Sequence, residues 1–148
     1  MSITEEVKQL LIKQCLEARK MAYAPYSNYL VGAALLTEDG KIYKGCNIEN
    51  SSYGGTICAE RCAIFKAVSE GHKKMSCIAI CGGKDISGGG IDQKEELAFP
   101  CGICRQVLRE FCEPDKMIVI ICKSENKYQS KTLEELLPNS FGPEYLLK

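Results

Sequence analysis

The stretch TICAERCAIF, residues 56–65, sets Cys58, Glu60 and Arg61 within four positions at the mouth of an apolar helix. Burying a carboxylate and a guanidinium there costs free energy unless something compensates them. A second stretch, FPCGICRQVL, residues 99–108, carries Cys101 and Cys104. Three positions along a helix turn through about 300°, so two such thiols lie within roughly 60° of each other. Two thiols on one face at a helix start form half a zinc site. The positive helix end also lowers thiol pKa toward the thiolate a metal needs. Cys58 offers a third thiol at another helix start. In a regular helix Cys58 and Glu60 would point about 200° apart, so both approach one metal only if Cys58 occupies the non-helical cap. Three thiolates on zinc leave a net charge of −1, which two helix N-termini offset in part. Arg61 or Arg105 donating to the sulfurs would offset more. A fourth position left open would hold a water that zinc acidifies. Glu60 beside it could take that proton and pass it on.

The elements that must position these groups follow from periodicity. Residues 2–22 read as a helix, with Val7, Leu10, Leu11, Cys15, Ala18 and Ala22 at three-and-four spacing and Ser2 with Glu5 as a capping box. The strands LVGAALLT and KIYKGCNI are joined by EDG, a hairpin turn with Gly40 free to take positive φ. Residues 58–70 predict a second helix ended by Gly71, and 75–81 a short apolar strand. A third helix starts near Cys101, buries Cys104, Val107, Leu108 and Phe111, and ends at Pro114. MIVIIC, 117–122, reads as a strand buried on both faces, followed by an edge strand over 128–131. Thr132 and Glu135 cap a last short helix, LEELL. The glycine-rich segment 82–99 is the longest connection, and GGG at 88–90 follows no phosphate-loop pattern. A hairpin followed by strands alternating with helices predicts a mixed sheet with helices packed over it.

The 148 residues suit one domain. Nineteen basic side chains balance nineteen acidic ones, which gives no electrostatic reason to bind nucleic acid or an anionic membrane. The acidic start MSITEEVKQL has no apolar core like a signal peptide's, and no run of about 18 apolar residues suggests a spanning helix. Ten cysteines, mostly inside apolar patterns, therefore predict a cytoplasmic chain with free thiols rather than a disulfide framework.

The pattern C-x-E followed by P-C-x-x-C is the three-cysteine form of the zinc deaminase signature. The chain resembles the small homotetrameric cytidine deaminases along nearly its full length, through YAPYSNYLVGAALL, GCNIENSSYGGTICAER, KAVSEG, PCGICRQVLREF and ELLPNSFGPE. The resemblance implies an α/β fold, a three-layer α/β/α sandwich around a mixed five-stranded sheet. It implies one zinc per subunit on Cys58, Cys101 and Cys104, with Glu60 shuttling protons and Arg61 hydrogen-bonded to the ligand thiolates. Water activated by zinc attacks carbon 4 of the pyrimidine, and cytidine or deoxycytidine loses ammonia. Asn47 and Glu49 match the residues that hold the ribose hydroxyls. An amide beside a carboxylate suits a diol and repels phosphate, favouring nucleoside over nucleotide. Phe141 matches an aromatic that reaches a neighbouring subunit's site, so the resemblance implies a homotetramer with shared sites.

Tyr29 stands where the family often has phenylalanine, and Phe99 precedes Pro100 where serine is common. Alternatives stay open on the residues. Cys62, four after Cys58, could close a structural four-thiol site and leave Glu60 idle. CGIC could be a redox pair. A blasticidin-type deaminase and a zinc-stabilised binding module are the competing functions, the first disfavoured by Asn47 and Glu49. Cys15, Cys46, Cys62, Cys77, Cys81, Cys112 and Cys122 read as small hydrophobes. His72 reads as a surface residue. Tyr23, Tyr26, Tyr53 and Phe65 read as packing residues, with Tyr53 potentially near the pocket.

Overall fold

Alternation along the central strands decides the layers. In β1 (Tyr29–Thr37), Ala33 and Leu35 face one core while Ala34 and Leu36 face another. In β3 (Met75–Lys84), Ile78 and Ile80 join the first core, and Cys77, Ala79 and Cys81 the second. In β4 (Ile118–Ser124), Val119 and Ile121 join the first, Ile120 and Cys122 the second. Strands apolar on both sides must be covered on both sides. Helix α1 (Glu5–Arg19) covers the second core with Leu11, Ile12 and Cys15. Helices α2 (Ala59–Ser69), α3 (Gly102–Glu110) and α4 (Leu133–Leu136) cover the first with Ala63, Ile64, Ala67, Leu108 and Leu133.

The structure is a computed structural model that describes residues 3–86 and 90–147. Adding β2 (Ile42–Cys46) and β5 (Lys127–Thr132), the sheet runs in the order β2-β1-β3-β4-β5. Within this sheet of described residues, β3 and β4 pair in parallel, with α3 lying between them in the chain, and the other neighbours pair antiparallel. This is the mixed five-stranded, three-layer arrangement the sequence resemblance implied. The hairpin turn is as expected, with Gly40 at φ +88. The Thr132–Glu135 capping box is formed in both directions.

Several boundaries differ. Ser2 and residues 88 and 89 of GGG lie outside the described residues. Thr4, not Ser2, is the N-cap of α1, its hydroxyl accepting from Val7 N at 3.2 Å. The helix stops at Arg19 rather than 22 because Lys20, Met21 and Ala22 donate to carbonyls three residues back, a tightened last turn. Strand β3 continues to Lys84, since Gly82 and Gly83 pair with Val31 and Leu30. A Cβ at Gly82 would meet Ala98 Cβ at 2.7 Å, so crowding rather than a loop explains that glycine. Tyr23, Tyr26, Tyr53 and Phe65 are exposed and belong to neither core.

Candidate metal and substrate site

Two helix starts build the centre. Cys58 is the N-cap of α2, in extended backbone at φ −75 and ψ 154. Its carbonyl accepts from Cys62 N at 3.1 Å. Cys101 is the N-cap of α3 at φ −68 and ψ 168, its carbonyl accepting from Arg105 N at 3.0 Å. The Cys58 side chain thus leaves the helical register, as its partnership with Glu60 requires. Cys101 also sits off the helix, so the cap and not helical spacing sets its approach to Cys104. The thiols of Cys58, Cys101 and Cys104 all lie within 4.8 Å of one another. Gly45 of β2 lets α2 come this close to the sheet: a Cβ there would meet Ala59 O at 2.4 Å and Ala63 N at 2.6 Å.

The electrostatics favour thiolate at Cys58, while the hydrogen bond between the Cys58 and Cys104 thiols, then burial, push Cys104 above its ordinary range. The Cys58 thiol is held down to about 5, first by its hydrogen bond with Cys104 and then by Arg61. Arg61 Nη2 donates to Cys58 Sγ at 3.3 Å, and the Arg61 guanidinium is stabilised above its usual range by that bond. Arg61 Nε is buried without a hydrogen-bond partner among the described residues. An unpaired buried guanidinium nitrogen is costly, and negative sulfur around it lowers that cost. Soft sulfur donors from two helix ends, compensated by a guanidinium, fit zinc. Arg105, the other arginine considered, donates instead to Pro100 O at 2.7 Å and Leu136 O at 2.6 Å.

Glu60 is buried on the first turn of α2, and burial pushes its carboxyl up to about 7. A carboxyl near neutrality takes and returns a proton at little cost. Cys62 is not in the thiol group; it lines a separate groove with Gly45, Cys46 and Ile48, so the closed four-thiol arrangement is absent among the described residues. The redox-pair reading of CGIC omits Cys58, which lies with both its cysteines. His72 sits away from the centre with Nδ1 3.0 Å from the Asp39 carboxylate.

A cavity of about 390 Å³ opens beside the thiols, lined by Tyr29, Asn47, Glu49, Cys58, Glu60 and Cys101 among others. Sites for small ligands run from roughly 300 to 1,000 Å³. Asn47 is tied into β1: its Nδ2 donates to Tyr29 O at 2.8 Å and its Oδ1 accepts from Val31 N at 2.9 Å. One amide hydrogen and one lone pair remain for a ligand. Glu49 accepts from Tyr26 N at 2.9 Å, Ser27 N at 3.2 Å and Ser27 Oγ at 2.5 Å. These bonds, the Ser27 hydroxyl first, hold its carboxyl below the usual range. Burial, then the charge of Glu95, pushes the Tyr29 phenol up.

Ser27 was missed by sequence reasoning. Its signal was its place inside the stretch YAPYSNYLVGAALL, and its role depends on the non-local approach of Glu49. Phe99, noted as a departure, does line the cavity. Tyr53 does not; it packs edge-on against Tyr26 at 6.4 Å. Phe141 is not among the cavity's lining residues either. It is exposed on the C-terminal segment and stacks on Tyr145 at 5.1 Å.

Residues 5–121 match the family described as the cytidine and deoxycytidylate deaminase zinc-binding region. The cytidine deaminase of Halalkalibacterium halodurans is 45% identical over 137 residues, covering 93% of this chain and 96% of that protein. The probable cytidine deaminase of Dictyostelium discoideum is 41% identical over 140 residues, covering 92% and 87%. The crystal structure of cytidine deaminase from Burkholderia pseudomallei superposes with a TM-score of 0.74 at 41% identity, covering 89% of this chain and 97% of that one.

Proposed function

The chain belongs to the cytidine deaminase family, and from that premise we propose that it hydrolyses cytidine and 2′-deoxycytidine to uridine and 2′-deoxyuridine, releasing ammonia in pyrimidine salvage. The observation that carries this reading is the group of three thiols at two helix starts, with the buried Glu60 carboxyl beside them at the wall of a nucleoside-sized cavity. Cys58, Cys101 and Cys104 would hold one zinc per chain. When bound, zinc supplies Lewis acidity that activates water at neutral pH.

Glu60 accepts the proton of the attacking water on its carboxylate. It delivers that proton to the ring nitrogen, then takes the second proton of the same water from the hydroxyl now on carbon 4 and gives it to the departing amine; a carbon–oxygen bond replaces the carbon–nitrogen bond, so one water is consumed and one ammonia leaves. Arg61 stabilises the negative sulfurs. Asn47, with its remaining hydrogen and lone pair, and Glu49, oriented by Ser27, hold the ribose hydroxyls. A fixed carboxylate repels a phosphate, so nucleosides are preferred to nucleotides. Tyr29 lines the pocket with a protonated hydroxyl. Phe141, exposed and not among the lining residues of its own chain's cavity, serves the site of a neighbouring copy in a homotetramer. The whole chain acts as one catalytic domain in the cytoplasm. Among the described residues no helix is long and apolar enough to cross a membrane.

The test measures zinc content and the ultraviolet loss of cytidine absorbance on one purified sample, with blasticidin as a second substrate. One zinc per chain with cytidine turnover is expected. Zinc without deamination of any nucleoside would make the protein a binding module, and preferential turnover of blasticidin would move it to that class.

A further inference from the structure

Helix α3 starts at the thiol Cys101 and carries, over its next turns, three side chains that hold the end of α4 and the C-terminal segment after it. Arg105 Nη1 donates to Leu136 O at 2.6 Å. Gln106 Nε2 donates to Phe141 O at 2.9 Å. Arg109, only 7% exposed, donates from Nε to Ser140 Oγ at 2.8 Å and from Nη2 to the Glu144 carboxylate. The guanidinium fork therefore grips the chain on both sides of Phe141. Gly142 is fitted to it, since a Cβ there would fall 2.3 Å from Arg109 Cζ. Asn139, at φ +54, turns the chain into this grip. The outcome is an aromatic ring left 55% exposed on a backbone that is fixed from behind.

We infer that Arg109 is a positioning residue for the deaminase reaction: by clamping Ser140 and Glu144 it presents the Phe141 ring, at a set distance from the metal-bearing helix start, to the nucleoside base in a neighbouring copy's site. The inference rests on the reading of Phe141 as a shared-site residue. A planar fork with two directed bonds fixes a segment as a flexible ammonium does not. Ordering the ring before substrate arrives removes that entropic cost from binding. The effect therefore falls on substrate affinity and leaves the proton chemistry at Glu60 intact.

The zinc-loaded Arg109→Met enzyme, which keeps the apolar stem, is compared with wild type, Phe141→Ala, the double variant and Arg109→Lys. Cytidine kcat and KM, zinc content and amide exchange of residues 139–146 are measured. Expected are unchanged zinc, faster exchange in the segment, and a KM raised about tenfold, the low end of a base–aromatic contact. Arg109→Lys should rescue only part of this, and the double variant should be no worse than Phe141→Ala. An unchanged KM in Arg109→Met while Phe141→Ala is impaired overturns the positioning role alone, as do multiplicative effects in the double variant. An unchanged KM in Phe141→Ala removes the shared-ring reading and the positioning role with it. Should Arg109→Met not fold, Ser140→Ala with Glu144→Gln opens the same clamp from its exposed side, with the same expected and overturning outcomes.

Discussion

Glu60 and Arg61 are neighbours in sequence with opposite proposed tasks, and each can be tested separately. Glu60→Gln preserves size and hydrogen bonding but cannot carry the proton. Turnover should fall by about 100- to 10,000-fold, the usual worth of general acid–base catalysis, while metal analysis still finds one zinc per chain. A variant with near-normal turnover would remove Glu60 from the mechanism. Arg61→Ala instead withdraws the guanidinium whose Nη2 lies 3.3 Å from Cys58 Sγ. The thiolates then lose a charged partner in a partly buried place. Zinc should be stripped by a chelator faster than from wild type, as followed by residual metal over time. Equal retention would show that the helix ends alone balance the sulfurs.

At the scale of elements, the centre depends on how closely α2 approaches the sheet. Gly45 sets that distance, because any Cβ meets the backbone at Ala59 and Ala63, neither of which can swing aside. Gly45→Ala should displace the start of α2, costing about 1–3 kcal/mol of stability as an overpacked core does. It should also lower zinc occupancy, since Cys58 caps that helix. Thermal unfolding and metal content of Gly45→Ala are compared with Gly54→Ala, whose added methyl meets nothing within 4 Å. Equal behaviour of the two would refute the spacing argument. The centre was largely legible from the residues: C-x-E demands a non-helical first position, and Cys58 occupies it. The Thr132–Glu135 box was equally local. What escaped was non-local. The choice of Arg61 over Arg105 depends on which backbone each side chain meets. The hold of Ser27 on Glu49 spans 22 residues, and that of Arg109 on Glu144 spans 35. The extension of β3 through two glycines was hidden because glycine signals a loop in sequence, while here Gly82 relieves crowding at Ala98 and Gly83 at Ile91.

At the scale of the whole molecule, one chain carries Glu60, Cys58, Cys101, Tyr29, Asn47 and Glu49 at its own cavity but not Phe141, which is exposed and held through its carbonyl by Gln106, midway along α3. If each site takes Glu60 from one copy and Phe141 from another, the two defects should complement. Glu60→Gln and Phe141→Ala chains, mixed in equal amounts, unfolded and reassembled together with zinc, place an intact Glu60 beside an intact Phe141 in about a quarter of sites under random closed assembly. Activity at low cytidine should then approach a quarter of wild type per chain. Were the sites independent, only the half carrying Phe141→Ala would work, and a tenfold defect would leave roughly a twentieth. The mixture thus separates a shared site from a self-contained one without any structure of the assembly. Activity no greater than the sum of the two separate variants would return Phe141 to a purely structural place on the C-terminal segment.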